Sequence, residues 1–169
     1  MCGRVKLEGD FSQLKSTFHI PDDYPAPNYA PSWNVAPTDS LPIVRYNMKD
    51  GHRALDLMRW GLVPHWAKDL KIGFSTINAM AETVDSKPVF REALNQRRCL
   101  VPIEAFYEWK KLGPGEKQPY AVALAGGGFM ALAGCGRIGS RRPASGCAVS
   151  RSSPARRTNS AAKSTTGCR

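Results

Sequence analysis

The chain has 169 residues, 42% of them hydrophobic, and a formal charge of +10. That length suits a single domain with its own core, and no apolar run approaches the roughly 18 residues of a membrane helix. The polar, basic N-terminus also lacks the apolar stretch of a secretion signal, so a cytoplasmic or nucleoid-associated protein with no membrane partner is expected. Five cysteines, Cys2, Cys99, Cys135, Cys147 and Cys168, form an odd set with no CxxC pair and no histidine at ligand spacing. Neither a disulfide framework nor a metal site is expected from them, and no cofactor is implied. The charge is uneven: residues 135–169 hold eight Lys or Arg and no acid, which leaves sixteen basic against fourteen acidic side chains in residues 1–134. Bulk charge is therefore no argument that the body of the chain binds nucleic acid.

In chain order, "DFSQLKSTF" predicts a short helix capped by Asp10, with Phe11, Leu14 and Phe18 on one face. The stretches "LPIVRYN" and "ALDLMRW" read as strands, being short, rich in β-branched or aromatic residues, and bounded by turn residues. A second helix is expected in "SKPVFREALNQ", with Ser86 as cap and a proline early, followed by strands in "RCLVPI", "AFYEWKK", "QPYAVAL" and "FMALAG". The glycines of "AGGGF" suit a hairpin turn between the last two. Many short strands with few helices predict an α+β domain over residues 1–134. After Gly134 the aromatic residues stop, and Ser, Arg, Ala and Gly dominate. A segment of that composition cannot bury enough apolar surface to offset its ordering entropy, so residues 135–169 are predicted to be a disordered basic tail.

Several residues could carry chemistry. Cys2 follows the initiator methionine, and removal of Met1 would set a free α-amine beside its thiol. Such a 1,2-aminothiol condenses with an aldehyde: the amine forms an imine and the thiolate closes on the same carbon to give a five-membered thiazolidine. The plain alternative is that a small second residue is common. Asn78, in "INAMAET", either donates a hydrogen bond to a developing oxyanion or a bound base, or merely holds a turn. Glu108, in "AFYEWKK", alternates with Tyr107 and Trp109 and shares a strand face with Phe106. A carboxylate on an apolar face suits proton shuttling, but Glu108 is equally readable as a surface glutamate. "RWGLVPHWAKD" mixes aromatic and basic residues as single-strand binders do, with Trp60 expected in the core and Trp66 outside. His65 in that run has no carboxylate near it in sequence and reads as a bystander.

Taken in order, "MCGR", "WNVAPT", "RWGLVPHWAKD", "INAMAET", "RCLVPIEAFYEWK" and "QPYAVAL" resemble the SOS-response-associated peptidase family of abasic-site processing proteins, over residues 1 to about 134. The resemblance implies a curved, barrel-like mixed β-sheet with a few short helices. It also implies a monomer acting on single-stranded DNA that contains abasic sites, and a covalent link between Cys2 and the ring-opened sugar after the protein removes its own Met1. By motif, Cys2 would be the nucleophile, Asn78 would position the sugar and Glu108 would move protons, while Arg4, Asn34, Pro37 and Trp66 would shape the DNA groove. An amidase or peptidase whose nucleophile is the N-terminal cysteine, and a non-functional truncated product, are the competing readings.

Two departures stand out. Met80 occupies the place where the resemblance implies a phosphate-binding arginine, and no histidine follows His65, although the family supplies one from a His-x-Arg-Met-Pro-like segment. The junction offers a reason. The codons GGC CTG TGG GAG AAT TGG for a family-like Gly-Leu-Trp-Glu-Asn-Trp, with one base lost, translate as Gly-Cys-Gly-Arg-Ile-Gly, the sequence found from Gly134 to Gly139. The tail is therefore expected to be an out-of-frame translation.

Overall fold

The computed structural model describes residues 3–137 and 144–150. Two sheets form most of it. In the first, β1 (Val5–Leu7) lies between β2 (Ser32–Val35) and β7 (Ala105–Gly113), and β8 (Glu116–Ala123) extends the far side of β7, all antiparallel. The second runs in the order β4 (His52–Trp60), β3 (Ser40–Asn47), β6 (Arg98–Ile103), β9 (Met130–Arg137), β10 (Ser145–Ser150) and β5 (Asn78–Met80). A parallel pairing of β10 with β4, Ser145 opposite Arg59 and Gly146 opposite Trp60, closes five of these strands into a barrel. The expected α+β architecture with a curved, barrel-like mixed sheet is the one observed.

Two helices cover the barrel. In α1 (Phe11–Phe18) the Asp10 carboxylate accepts the Ser12 N–H at 2.5 Å, the predicted cap. The apolar face seats Leu14 and Phe18 against Val44 and Leu55 of the β3–β4 hairpin. In α2 (Pro88–Gln96) Phe90 and Ala93 pack with Leu62, Ala79 and Val84. Its cap position is Lys87 without a side-chain bond, and Ser86 Oγ donates to the Thr83 carbonyl instead. The proline at the helix start already fixes φ and removes one N–H that a cap would have to satisfy, so the helix begins without Ser86.

Two other expectations change. The glycine-rich "AGGGF" does not join a hairpin, because β8 belongs to the first sheet and β9 to the second, and the segment carries the chain from one to the other. Gly127 and Gly128 both have positive φ there, as their composition allows. The sheet also continues past the composition break at Gly134: β9 runs to Arg137 and β10 completes the barrel. Residues 151–169, where a disordered tail is expected, lie outside the described residues.

A third cluster fills the space between the sheets: Val5, Leu7, Val35, Leu41, Trp60 and Ile103 are all buried. The barrel interior is closed by the same side chains with Ile43, Met58, Val101 and Leu132, around a residual cavity of only about 30 Å³. A space of that size, which Arg59 and Cys99 also line, is too small to hold a substrate.

Truncation of Leu14 to Ala should cost about 2–5 kcal/mol in a denaturant melt, the usual range for a fully buried leucine. The Asp10 carboxyl is held below its ordinary pKa, chiefly by the Ser12 backbone N–H and then by its hydroxyl. Its contribution is present above the unfolded value and lost as pH falls through the folded one. Asp10→Asn, which keeps the acceptor without the charge, should flatten the acid limb of the stability curve. An unchanged limb would remove Asp10 from that account.

Candidate active site and nucleic-acid interface

The start of the chain is pinned between β2 and β7. Val5 pairs with both Val35 and Phe106, and the Tyr107 N–H donates to the Arg4 carbonyl at 3.0 Å. Carried one residue further back, that register sets Gly3 beside Glu108. Cys2 itself lies outside the described residues. Glu108 is half-buried within β7, and Phe106, two residues earlier on the same face, packs into the cluster that holds Val5 and Val35.

Around this edge the side chains interlock. Arg4 donates from Nη1 to Asn34 Oδ1 at 3.0 Å, so two predicted groove residues meet directly. Tyr107 donates its hydroxyl to the Trp33 carbonyl at 2.8 Å, and the Lys6 ammonium stands 3.6 Å from the centre of the Trp33 ring while also pairing with Glu8. Trp33 is 59% exposed, an aromatic face with Lys6 against its ring and Arg4 bonded to the next residue, Asn34. Sequence reading passed over Trp33, although its place beside Asn34 in "SWNVAP" was the available signal.

Pro37 sits in a tight turn. The Ala36 N–H donates to Asp39 Oδ2, the Asp39 N–H returns to the Ala36 carbonyl, and Thr38 is held at φ 80°. A β-branched residue in the left-handed region is strained by on the order of 1–3 kcal/mol and persists only where its surroundings impose it. Here the Thr38 N–H donates to the Trp60 carbonyl at 2.9 Å.

Trp60 is buried as expected, and its indole Nε1–H donates to the Ile77 carbonyl at 2.9 Å, one residue before Asn78. Asn78 opens β5, half-buried, in parallel register with Ala148 of β10. Met80 ends that strand 38% exposed. Trp60, Ile77, Phe106, Val35 and Val5 therefore share one cluster, and the last four each lie within a few residues in sequence of Asn78, Glu108, Asn34 or Cys2. Trp66 stands apart from this group. It is exposed on the loop after Pro64, at a shallow apolar groove walled by Ala67, Lys68, Asp69 and Ile72. His65 beside it does have a carboxylate near it, its Nδ1 lying 3.4 Å from Glu92 of α2. A carboxylate 27 positions away in sequence is invisible to a local reading.

The other described thiols are poor candidates for chemistry. Burial, with a further contribution from Cys135, pushes Cys99 up to about 12, and Cys135 is fully buried. Among the described residues no cluster of three His, Cys, Asp or Glu side chains could hold a metal ion.

Residues 1–154 match the family described as SOS response associated peptidase (SRAP). The chain belongs to the SRAP family. It is 43% identical over 135 residues to the abasic site processing protein YoqW of Bacillus subtilis, covering 79% of this chain and 59% of that protein. It is 37% identical over 105 residues to the abasic site processing protein HMCES of Mus musculus, covering 56% and 30%. The chain thus spans about three-fifths of the length of the bacterial relative. Two solved structures share the fold: a phage-related protein of Bordetella bronchiseptica, with a TM-score of 0.71 at 23% identity over 89% of this chain and 69% of that one, and a protein of Bacteroides thetaiotaomicron, with 0.73 at 19% over 88% and 67%.

Trp60 is the SRAP-chain residue on which the site's backbone depends. Trp60→Phe keeps most of the buried ring but leaves the Ile77 carbonyl without its donor, which should cost about 1–3 kcal/mol. Amide exchange at Ala79 and Met80 should accelerate with it; unchanged protection there would show that the indole does not hold β5.

Proposed function

We propose that this SRAP protein traps abasic sites in single-stranded DNA by forming a thiazolidine with Cys2. The observation that carries the reading is the anchoring of the chain's start: β1 is held by Tyr107 directly beside Glu108, with Arg4 braced on Asn34. The names of the relatives, abasic site processing proteins, agree with it.

Removal of Met1 exposes the α-amine, whose ordinary pKa of about 7.7–8.0 leaves a useful neutral fraction at pH 7. The amine adds to the aldehyde carbon of the opened sugar, and loss of water from the carbinolamine gives an imine. The Cys2 thiolate then adds to the imine carbon while the nitrogen takes up a proton, closing the ring with one water released overall. In this reading Glu108 carries the proton to the departing hydroxyl and back to the nitrogen, and Asn78 orients the sugar from the start of β5. Arg4, Asn34 and Pro37 line the strand's path and Trp66 offers a face for base stacking. With Met80 exposed where an arginine would meet phosphate, binding should be weaker and slightly less salt-dependent than in an arginine-bearing chain.

Purified protein incubated with abasic single-stranded DNA should give a shifted band that survives denaturation, and Cys2→Ala should abolish it. Glu108→Gln should slow its formation by at least tenfold without preventing DNA binding. A Cys2→Ala variant that cross-links as well as its parent would sink the mechanism. Turnover of a simple amide substrate without any DNA adduct would favour the amidase reading instead.

A further inference from the structure

The composition breaks at Gly134, yet the fold does not. β9 crosses the break, and β10 closes the barrel through backbone bonds to β9, β4 and β5. A strand enclosed on both sides is ordinarily rich in Val, Ile and Leu; β10 reads Ser-Gly-Cys-Ala-Val-Ser. Backbone pairing tolerates such a sequence, but side-chain polarity at the closure is not balanced. Three guanidinium nitrogens, Arg59 Nη1, Arg97 Nε and Arg137 Nη1, are buried without a hydrogen-bond partner among the described residues. All three arginines adjoin this seam: Arg59 and Arg137 lie opposite Ser145, and the Arg97 carbonyl accepts the Gly136 N–H. Buried cationic groups call for acids; Arg97 has Glu92 at its Nη2, and residues 135–169 contain no acid to offer Arg59 and Arg137. The 43% identity to the bacterial relative extends over 135 residues, 79% of this chain, while the family match runs on to residue 154.

We infer that from Cys135 onward the chain is written one base out of frame with residues 1–134, and that the displaced frame of the same nucleotides encodes the missing half of the SRAP domain, its histidine included. The genetic code makes this specific. Reading each codon from its third base, Gly134 through Gly139 admits Leu-Trp-Glu-Asn-Trp, which returns an acid and two aromatic residues to the end of β9. The junctions Val149–Ser150, Arg151–Ser152 and Ser152–Ser153 become NTC when serine is written TCN, so each encodes Phe, Leu, Ile or Val. At the far end the constraint is tighter. From Lys163 to Arg169, with serine written TCN and arginine CGN, the successive codons become RTC, NAC, NAC, NGG, NTG and YCG, where the last is Pro or Ser. Together they admit Val-His-Asp-Arg-Met-Pro. A histidine codon can therefore straddle Ser164 and Thr165, within a His-x-Arg-Met-Pro segment of the kind that the resemblance implies and the translated chain lacks.

The inference stands independently of whether Cys2 traps aldehydes. Its first test is the nucleotide sequence of codons 134–169: the displaced frame should be free of stop codons, carry acidic codons near its start and read CAC across the Ser164–Thr165 junction. A stop codon in that frame, or any other base at that junction, would overturn it. The second test compares the chain as written with one in which a single base is restored before codon 135. The restored protein should melt several degrees higher and, on abasic single-stranded DNA, cross-link at least tenfold faster. Equal melting of the two would also count against the displaced frame. Higher melting with no adduct from either chain would uphold the frame and defeat the cross-linking mechanism.

Discussion

Four segments meet at Trp60, and the candidate site depends on that meeting. Its carbonyl accepts the Thr38 N–H, its N–H donates to the Asp39 carbonyl, its indole donates to the Ile77 carbonyl, and its backbone lies in parallel register with Gly146. The strained turn that carries Pro37, the strand opened by Asn78 and the seam of the barrel are thus referenced to a single buried residue, three times through its backbone and once through its indole. Next in the chain, Gly61 adopts φ 120°, and a Cβ there would lie 2.4 Å from the Gly73 carbonyl oxygen, so the 3-10 turn Leu70–Ser75 packs against bare backbone. Only glycine permits that approach.

This arrangement separates stability from chemistry. The barrel interior leaves little room for a ligand, while Arg4, Asn34 and Glu108 sit on or beside the separate β1–β2–β7 sheet and Asn78 opens β5. The β1–β2 edge pairs short strands with an exposed aromatic, Trp33, and cations at Arg4 and Lys6. It is on this charged and aromatic rim that the proposed reading, an extended single strand with bases splayed against the surface, rests.

Much of this was legible before any fold was known. Alternation and turn residues located the long strands from Leu41 to Ala133, and the Asp10 cap and the buried face of α1 followed from spacing alone. The failures share a cause. "AGGGF" has the chemistry of a hairpin turn, but turn chemistry does not say which sheet the next strand joins. Ser86 has the chemistry of a cap, but Pro88 made the cap dispensable. The three-residue strands β1 and β5 are too short to show a period, and the ion pair of His65 with Glu92 spans a helix and a loop.

By itself the sequence determined the fold class, the family, and the residue types available for chemistry, because strand periodicity, caps and short motifs are local properties of the chain. It also exposed the change at Gly134, since codon arithmetic needs no coordinates. Only the tertiary structure decided which of those residues become neighbours: Arg4 with Asn34, the chain's start with Glu108, and the indole of Trp60 with the residue before Asn78. Such contacts arise from closing a barrel and stacking a second sheet on it, and the register of those closures is set by packing across tens of residues that no local pattern records.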